Sequence, residues 1–199
     1  MSGKYVAFEG ANGVGKSTVL DAIVSELFKI PVDLLVTKEP TETELGNYVR
    51  RKQNTLKGKA LACLAAADRI NHIEQVIEPA LSNGRLVISD RCVLSAYLYN
   101  KMDGVTFDYT ASIYDGIRNP DVIFLFFAPP EVVKKRLNQR AEFVRYEKED
   151  PAKEKAIIDE CEAYLNQKGV KIYKLSTETD VGGIAKKVLE IFNKTSIID

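Results

Sequence analysis

A glycine-rich octapeptide near the N-terminus constrains this chain more than any other feature. Residues 10–17 read Gly-Ala-Asn-Gly-Val-Gly-Lys-Ser and match the pattern GxxxxGK followed by Ser or Thr. The octapeptide follows a short apolar run, Tyr5 to Phe8, and precedes Ser17 to Phe28, where apolar residues recur at helical spacing. In a strand, loop and helix context, glycines allow backbone N–H groups to converge on a phosphate, and the start of the helix adds positive potential. The octapeptide therefore predicts a site for nucleotide phosphates.

Two side chains of this loop have predicted roles. Lys16 should reach the terminal phosphates, and the Ser17 hydroxyl can ligate Mg²⁺. We therefore expect ATP and Mg²⁺ as cofactors, with the ATP-binding residues Gly10, Ala11, Asn12, Gly13, Val14, Gly15, Lys16, Ser17 and Thr18. NTPases, GTPases and small-molecule kinases share such a loop, so the loop alone does not define the reaction.

Helical patterns alternate with short apolar runs along the whole chain, which is typical of α/β proteins. After Tyr5–Phe8, the runs that predict strands are Leu34–Val36, Leu86–Ser89, Asp121–Phe127 and Val170–Leu175. Besides the helix after the loop, helices are predicted at about 44–56, 58–81, 94–101, 109–117, 130–141, 151–167 and 181–194. Because right-handed crossovers place helices on both faces of a parallel sheet, we expect a three-layer α/β sandwich with a five-stranded parallel sheet, in one domain over residues 1–199.

The composition argues against several classes of partner and location. The 28 Lys and Arg residues balance the 28 Asp and Glu residues, which argues against a broad basic surface for nucleic acid. No apolar run approaches the roughly 20 residues of a membrane span, and the N-terminus lacks the apolar core of a signal peptide. Three scattered cysteines fit a reducing compartment. We therefore expect a cytoplasmic protein that binds small molecules rather than nucleic acid or a membrane.

An acidic and a basic residue, Asp90 and Arg91, follow directly on the predicted strand Leu86–Ser89. The carboxyl ends of parallel strands open at the same edge as the phosphate loop, so this pair should lie near the nucleotide. Asp90 can hold a water on Mg²⁺, and Arg91 can form two parallel hydrogen bonds to phosphate oxygens. The alternative interpretation is an ordinary salt bridge at the end of a strand.

Several short motifs surround the phosphate loop in a specific order and spacing. They are Phe8-Glu9-Gly10, Glu39-Pro40-Thr41, Gly46 with Arg50, Ala67-Asp68-Arg69, Asp90-Arg91 with Ser95 and Tyr99, Asn119-Pro120-Asp121 and Arg145-Tyr146-Glu147. Most are weak singly, but as a set they resemble the motifs of the thymidylate kinase family over most of the chain. The resemblance implies a P-loop kinase fold, a homodimer, and a lid segment at about 138–150.

The resemblance also implies which residues bind the acceptor. Arg50 and Arg91 resemble the arginines that grip the acceptor monophosphate, and Arg69 resembles the one that hydrogen-bonds the pyrimidine edge. Tyr99 resembles the aromatic residue beside the sugar. The expected acceptor-binding set is Asn12, Arg50, Arg69, Arg91, Ser95, Tyr99 and Asn100.

Further implied roles concern phosphoryl transfer. Because the loop has Gly13 where some members carry a basic residue, lid arginines should embrace the transferred group. The expected catalytic residues are therefore Lys16, Arg91, Arg140 and Arg145, with Ser17 and Asp90 as metal ligands. The basic residues of the helix at 130–141 can instead be explained without any contact to phosphate, as residues of a solvent-exposed helix face. We prefer this interpretation for Lys134 and Lys135.

The chain departs from the family pattern at two positions. Asn12 replaces the loop acid that serves the acceptor sugar, and Ala65 stands where an aromatic residue usually stacks on thymine. Unless Tyr97, Phe107 or Tyr109 reaches the base, we expect weaker discrimination among acceptors, since an aromatic residue contributes about 1–3 kcal/mol per stacked base.

The reaction expected from these residues is transfer of the ATP γ-phosphoryl group to a deoxynucleoside monophosphate, with thymidine monophosphate (dTMP) favoured. The acceptor oxygen is already anionic, so catalysis should rest on positioning and charge neutralisation rather than on a general base. A deoxynucleoside kinase, with Glu9 as its base, is one alternative. A catalytically silent nucleotide-binding module is another.

Overall fold

The computed structural model describes residues 3–139, 145–148 and 150–198, which are built around one parallel sheet. Its five strands are arranged in the order β2-β3-β1-β4-β5. They are β1 (Lys4–Glu9), β2 (Leu34–Lys38), β3 (Leu86–Asp90), β4 (Val122–Phe127) and β5 (Lys171–Ser176). Every recorded strand pair is parallel, which confirms the predicted sheet.

Helices connect the strands and cover both faces of the sheet. They are α1 (Lys16–Leu27), α2 (Glu44–Lys52), α3 (Gly58–His72), α4 (Glu78–Ser82), α5 (Val93–Met102), α6 (Phe107–Ile113), α7 (Pro130–Leu137), α8 (Pro151–Gln167) and α9 (Val181–Lys194). A π-helical turn, Ile73–Ile77, joins α3 to α4, and Arg145–Lys148 form a 3₁₀ turn. Within the part of the chain that the structure describes, no helix combines the length and apolarity needed to cross a membrane.

Four helix predictions were wrong in their boundaries, and one of them, at 130–141, ends as α7 at Leu137. The helix predicted at 58–81 contains the π-helical turn, and α2 ends at Lys52 instead of residue 56. The last, predicted at 109–117, spans Phe107–Ile113 as α6, and it begins early because the Thr106 side chain accepts a hydrogen bond from the N–H of Tyr109 and caps the helix there.

The core lies on the two sides of the central strand β1. Val6 and Phe8 point toward α1 and α9, and the Phe8 ring stacks on that of Phe124 at 5.4 Å between centroids. Ala7 points the opposite way, into a second cluster with Leu94 of α5 and Ile158 of α8. Because β1 is buried on both faces, its run of apolar residues is continuous rather than alternating.

The strand register brings three chain segments to one edge of the sheet. Phe8 of β1 pairs with Asp90 of β3, and Lys38 of β2 also pairs with Asp90. Parallel strands that end level release their following loops side by side. The residues that leave this carboxyl edge together are Gly10, Glu39 and Arg91.

Candidate active site

The phosphate loop depends on glycine at its tightest points. Gly10 has φ 149°, and a Cβ added there would lie 2.5 Å from the carbonyl oxygen of Phe126. Gly13 has φ 81°, and its Cβ would lie 2.9 Å from the Leu137 side chain. Helix α1 begins after Gly15 without any side-chain cap, so the N–H groups of its first turn are available to a phosphate.

Lys16 and Asp90 form an ion pair at the start of α1. The Lys16 side chain is buried, whereas that of Asp90 is 24% exposed. Burial and the positive charge of Arg91 lower the pKa of Lys16 below its ordinary value, and Asp90 opposes this shift. The structure thus brings together the predicted phosphate-binding lysine and the predicted metal-binding acid.

The donor set at this point fits Mg²⁺. Ser17 is exposed beside Lys16, and Asp90 lies against Lys16. A hydroxyl and a carboxylate are hard oxygen ligands, and Mg²⁺ takes only one or two ligands from the protein when phosphates and water supply the others. Within the described residues, no cluster of three or more His, Cys, Asp or Glu side chains offers an alternative metal cage.

Arg91 is held in a constrained conformation at the end of β3. Its φ is 77°, in the left-handed region that non-glycine residues seldom adopt. Two backbone contacts impose it: Arg91 N–H donates to the Phe8 carbonyl at 2.9 Å, and Ser89 Oγ donates to the Arg91 carbonyl at 2.6 Å. The guanidinium then donates to Asn12 Oδ1 at 2.6 Å and to Ser95 Oγ at 3.0 Å. Arg91 therefore connects the phosphate loop with α5, and the strain persists because neighbours over-determine it.

Glu9 has a structural role that sequence reasoning missed. Its buried carboxylate accepts hydrogen bonds from Cys92 N–H at 2.7 Å, Ser95 N–H at 3.0 Å and Ser95 Oγ at 2.9 Å. Helix α5 has no side-chain cap of its own, so Glu9 satisfies its first-turn donors from a neighbouring strand. Because these donors hold the carboxylate, Glu9 is poorly suited to the general-base role that a nucleoside kinase requires.

A cavity of about 340 Å³ opens beside the phosphate loop. All residues of the predicted acceptor set line it, and so does Ala65. The seven predicted acceptor residues that the structure brings together there are Asn12, Arg50, Arg69, Arg91, Ser95, Tyr99 and Asn100.

Like Arg91, both Arg50 and Asn100 already make hydrogen bonds within the protein. The Arg50 guanidinium donates to the carbonyl of Pro40, and the Asn100 amide donates to Thr110 Oγ1 at 3.1 Å. Asn100 is buried, and this bond directs one of its amide hydrogens toward α6.

The aromatic walls of the cavity are Tyr99 and Tyr146, whose ring centroids are 4.5 Å apart. Tyr146 belongs to the Arg-Tyr-Glu motif, but its place in the cavity was missed because no local pattern joins residue 146 to α5. Tyr97, by contrast, is buried against Phe107 and Tyr164, and Tyr109 is half-buried beside Lys59. None of the three aromatic residues proposed from the sequence lines the cavity.

The structure describes only one of the two predicted lid arginines, Arg140 and Arg145. Arg140 lies outside the described residues. The Arg145 guanidinium donates to both Asp103 oxygens, at 2.5 and 2.9 Å, and to the Gln53 carbonyl at 2.9 Å. Arg145 is therefore engaged at the rim of the cavity, and its contact with a transferred phosphoryl group stays a prediction.

Arg136, by contrast, contacts the phosphate loop. Its Nη1 donates to the Val14 carbonyl at 2.6 Å and to Thr177 Oγ1 at 3.1 Å, and its Nη2 donates to the Thr177 carbonyl at 3.1 Å. Thr177 itself donates to the Val14 carbonyl. This arginine of α7 therefore braces the loop from behind rather than lying on a solvated face.

One sequence pattern of another protein class occurs at the end of α5. Asn100-Lys101-Met102-Asp103 matches Asn-Lys-x-Asp, by which GTPases recognise guanine. Here Asp103 is engaged by Arg145 and Tyr146, and Asn100 by Thr110. The tetrapeptide thus joins α5 to the 3₁₀ turn Arg145–Lys148, and its aspartate is engaged by that turn rather than presented to a base.

Comparison with known proteins agrees with this geometry. The family model described as "Thymidylate kinase" matches residues 8–166. A "Thymidylate kinase" of Exiguobacterium is 30% identical over 200 residues, covering 96% of this chain and 94% of that protein. A "Thymidylate kinase" of Methylococcus capsulatus is 36% identical over 160 residues (75% and 76%), and a "Probable thymidylate kinase" of Thermococcus onnurineus is 32% identical over 155 residues (72% and 76%).

Proposed function

This chain belongs to the thymidylate kinase family, and we propose that it performs the family's reaction with the residues described above. The enzyme transfers the γ-phosphoryl group of ATP to dTMP and forms the diphosphate. The observation that carries this assignment is a single cavity that gathers the whole predicted acceptor set, with Arg91 bonded to Asn12 of the phosphate loop.

The donor side of the site supplies positive charge. The loop N–H groups and Lys16 bind the phosphates of ATP, and Lys16 neutralises charge on the transferring group. Ser17 and Asp90 would hold Mg²⁺, which when bound neutralises the β- and γ-phosphate oxygens. Asp90 also keeps Lys16 in place before ATP arrives, since the two side chains are paired.

The acceptor side needs no general base, because the attacking oxygen of a monophosphate is already anionic. Arg50 and Arg91 grip this phosphate, and Arg91 orients it toward the loop because Asn12 and Ser95 fix its guanidinium. The engagement of Glu9 with α5 also disfavours the nucleoside kinase alternative.

The remaining cavity residues hold the nucleoside. Arg69 donates to the base edge, Tyr99 lies beside the sugar, and Tyr146 closes the wall next to it. Because Ala65 leaves the stacking position open, we propose that base selectivity rests mainly on polar contacts. Arg140 and Arg145 remain our proposed contacts for the transferred phosphoryl group, and Arg145 would have to leave Asp103 to make one.

We also propose a homodimer. On α3, Ala60, Cys63 and Ala67 are exposed and lie three to four residues apart, so they form one face of small side chains that allows another helix to approach closely. Light scattering on the purified protein tests this, and a monomer at micromolar concentration would contradict it.

The function is tested by incubating the protein with ATP, Mg²⁺ and a panel of nucleosides and nucleoside monophosphates. We expect dTMP to become the diphosphate while thymidine is unchanged. Phosphorylation of a nucleoside would support the kinase alternative, and ATP binding without turnover of any acceptor would support the silent module.

A further inference from the structure

The side chain that is proposed to read the base, Arg69, ends a buried polar chain. Its Nε is paired with Glu39 Oε2, and the other oxygen of Glu39 lies 3.1 Å from Nδ1 of His72. The second ring nitrogen of His72 lies 2.7 Å from Thr37 Oγ1. Arg69, Glu39 and His72 are buried, with 7%, 5% and 2% of their surfaces exposed.

The direction of these hydrogen bonds follows from the groups involved. An ionised carboxylate only accepts, so Nδ1 of His72 must carry a hydrogen and donate it to Glu39. In the neutral ring Nε2 then accepts from the Thr37 hydroxyl, which fixes the tautomer. Glu39 is therefore held on one oxygen by His72 while the other oxygen holds Arg69.

The hydrogen bonds that Arg69 makes within the protein leave its Nη2 for the cavity. Nη1 of Arg69 donates to the Tyr114 hydroxyl at 3.3 Å, and the guanidinium carbon lies 5.4 Å from the centre of that ring. Nε is occupied by Glu39. Among the residues that the structure describes, none accepts a hydrogen bond from Nη2, and Arg69 lines the acceptor cavity.

We propose that His72 is a positioning residue for base recognition, acting through Glu39 on the guanidinium of Arg69. The proposal rests on the proposed function, in which Arg69 donates to a base acceptor atom. Without the Nδ1 donor, a buried Glu39 oxygen loses its partner, and the carboxylate can rotate away from the geometry that presents Nη2 to the base. His72 itself lies behind Glu39 and touches no substrate.

The effect should be confined to acceptor binding. Arg69 contacts the base in both ground and transition states, so loss of its alignment should raise the KM for dTMP and leave kcat unchanged. One hydrogen bond of about 1–1.5 kcal/mol corresponds to a rise of roughly five- to tenfold. Discrimination should fall as well, because a thymine carbonyl accepts from arginine whereas the cytosine amino group at that position does not.

Two amide substitutions of His72 provide a matched test. In His72→Asn the amide nitrogen can occupy the position of Nδ1 and donate to Glu39, whereas in His72→Gln it reaches the position of Nε2, toward Thr37. We measure KM and kcat for dTMP and for deoxycytidine monophosphate (dCMP), the KM for ATP, and the melting temperature. We expect His72→Asn to stay within twofold of wild type and His72→Gln to raise the KM for dTMP five- to tenfold and to lower the dTMP/dCMP ratio of kcat/KM.

Equal losses in both variants, or a fall in kcat without a change in KM, would overturn the proposal. If the His72 variants fold poorly, Thr37→Val removes only one hydroxyl, and we expect it to raise the KM about threefold; no change would count against the proposal. In an Arg69→Gln background, His72→Gln should add nothing, because the residue that it positions is gone. A wild-type enzyme that fails to phosphorylate dTMP would refute the proposed function instead.

Discussion

Asp103, at the end of α5, should determine how firmly the 3₁₀ turn Arg145–Lys148 is held against the acceptor cavity. Its carboxylate is almost completely buried and accepts four hydrogen bonds. Two come from Arg145, at 2.5 and 2.9 Å, one from the Tyr146 hydroxyl at 3.2 Å, and one from the Gly58 N–H at 3.1 Å. Asp103→Asn should therefore loosen the turn that places Tyr146 against Tyr99.

The expected rise in the KM for dTMP follows from these contacts. An amide keeps one acceptor but turns N–H groups toward a guanidinium, so at least one bond to a charged group, typically about 1.5–3 kcal/mol, is lost. Most of this free energy is lost equally from the free enzyme and from its complex with dTMP, so it does not change the KM. Binding of dTMP is weakened only by the displacement of the Tyr146 ring. Loss of an aromatic contact of about 0.5–1.5 kcal/mol corresponds to a two- to tenfold rise in the KM for dTMP.

The assay is a titration of dTMP at saturating ATP. Tyr146→Leu should give a similar rise, and the double variant should add little to either single one, since both act through the same wall. Glu160→Gln is the matched control, because it neutralises an exposed acid whose partner is Lys101 and should change nothing. An unchanged KM for dTMP in Asp103→Asn would refute the reasoning, and so would full additivity of the two substitutions.

Three further substitutions test other parts of the site. Lys16→Met should lower kcat by about a thousandfold or more at an unchanged melting temperature, because the lysine meets charge that develops on the transferring group; activity within tenfold of wild type would contradict this. Arg91→Ala should raise the KM for dTMP much more than it weakens ATP binding measured by equilibrium titration, and the reverse order would show that Arg91 is not an acceptor ligand. Ala65→Phe should lower the KM for dTMP and sharpen its discrimination from dCMP, measured as the ratio of kcat/KM, unless the phenyl ring cannot enter the cavity, in which case all acceptors lose affinity together.

The sequence was sufficient for those features that follow from local pattern and strand topology. The phosphate loop is contiguous, and apolar runs with helical crossovers specify a parallel sheet. The level ends of β1 and β3, where Phe8 pairs with Asp90, then bring Arg91 to the loop. The rest of the acceptor set, which is scattered through the sequence, was implied by the resemblance to the family rather than by topology.

Contacts between distant side chains were not predictable in the same way. Nothing near Glu9 indicates that it caps a helix beginning 84 residues later at Val93, because the uncapped start of α5 carries no cue of its own. The same holds for Asp103, because α6, β4 and α7 separate it in the sequence from its partners Arg145 and Tyr146. The resemblance to the family implied that Arg145 contacts the transferred phosphoryl group, whereas in this structure the buried carboxylate of Asp103 binds its guanidinium.

Arg136 differs from these cases, because the sequence does contain a signal for it. In α7 the buried residues are Val133 and Leu137, and Arg136 lies three residues after the first and next to the second. Val132 also packs against the core, and at 3.6 residues per turn these three apolar residues are centred about 50° from position 136 but about 110° from position 134 and about 150° from position 135. The apolar pattern thus separates one basic residue of the helix from its two neighbours, and the buried side of α7 is the side that contacts Gly13. A guanidinium emerging there meets the Val14 carbonyl of the phosphate loop, so helical phase decides between the two interpretations that the sequence left open for Arg136.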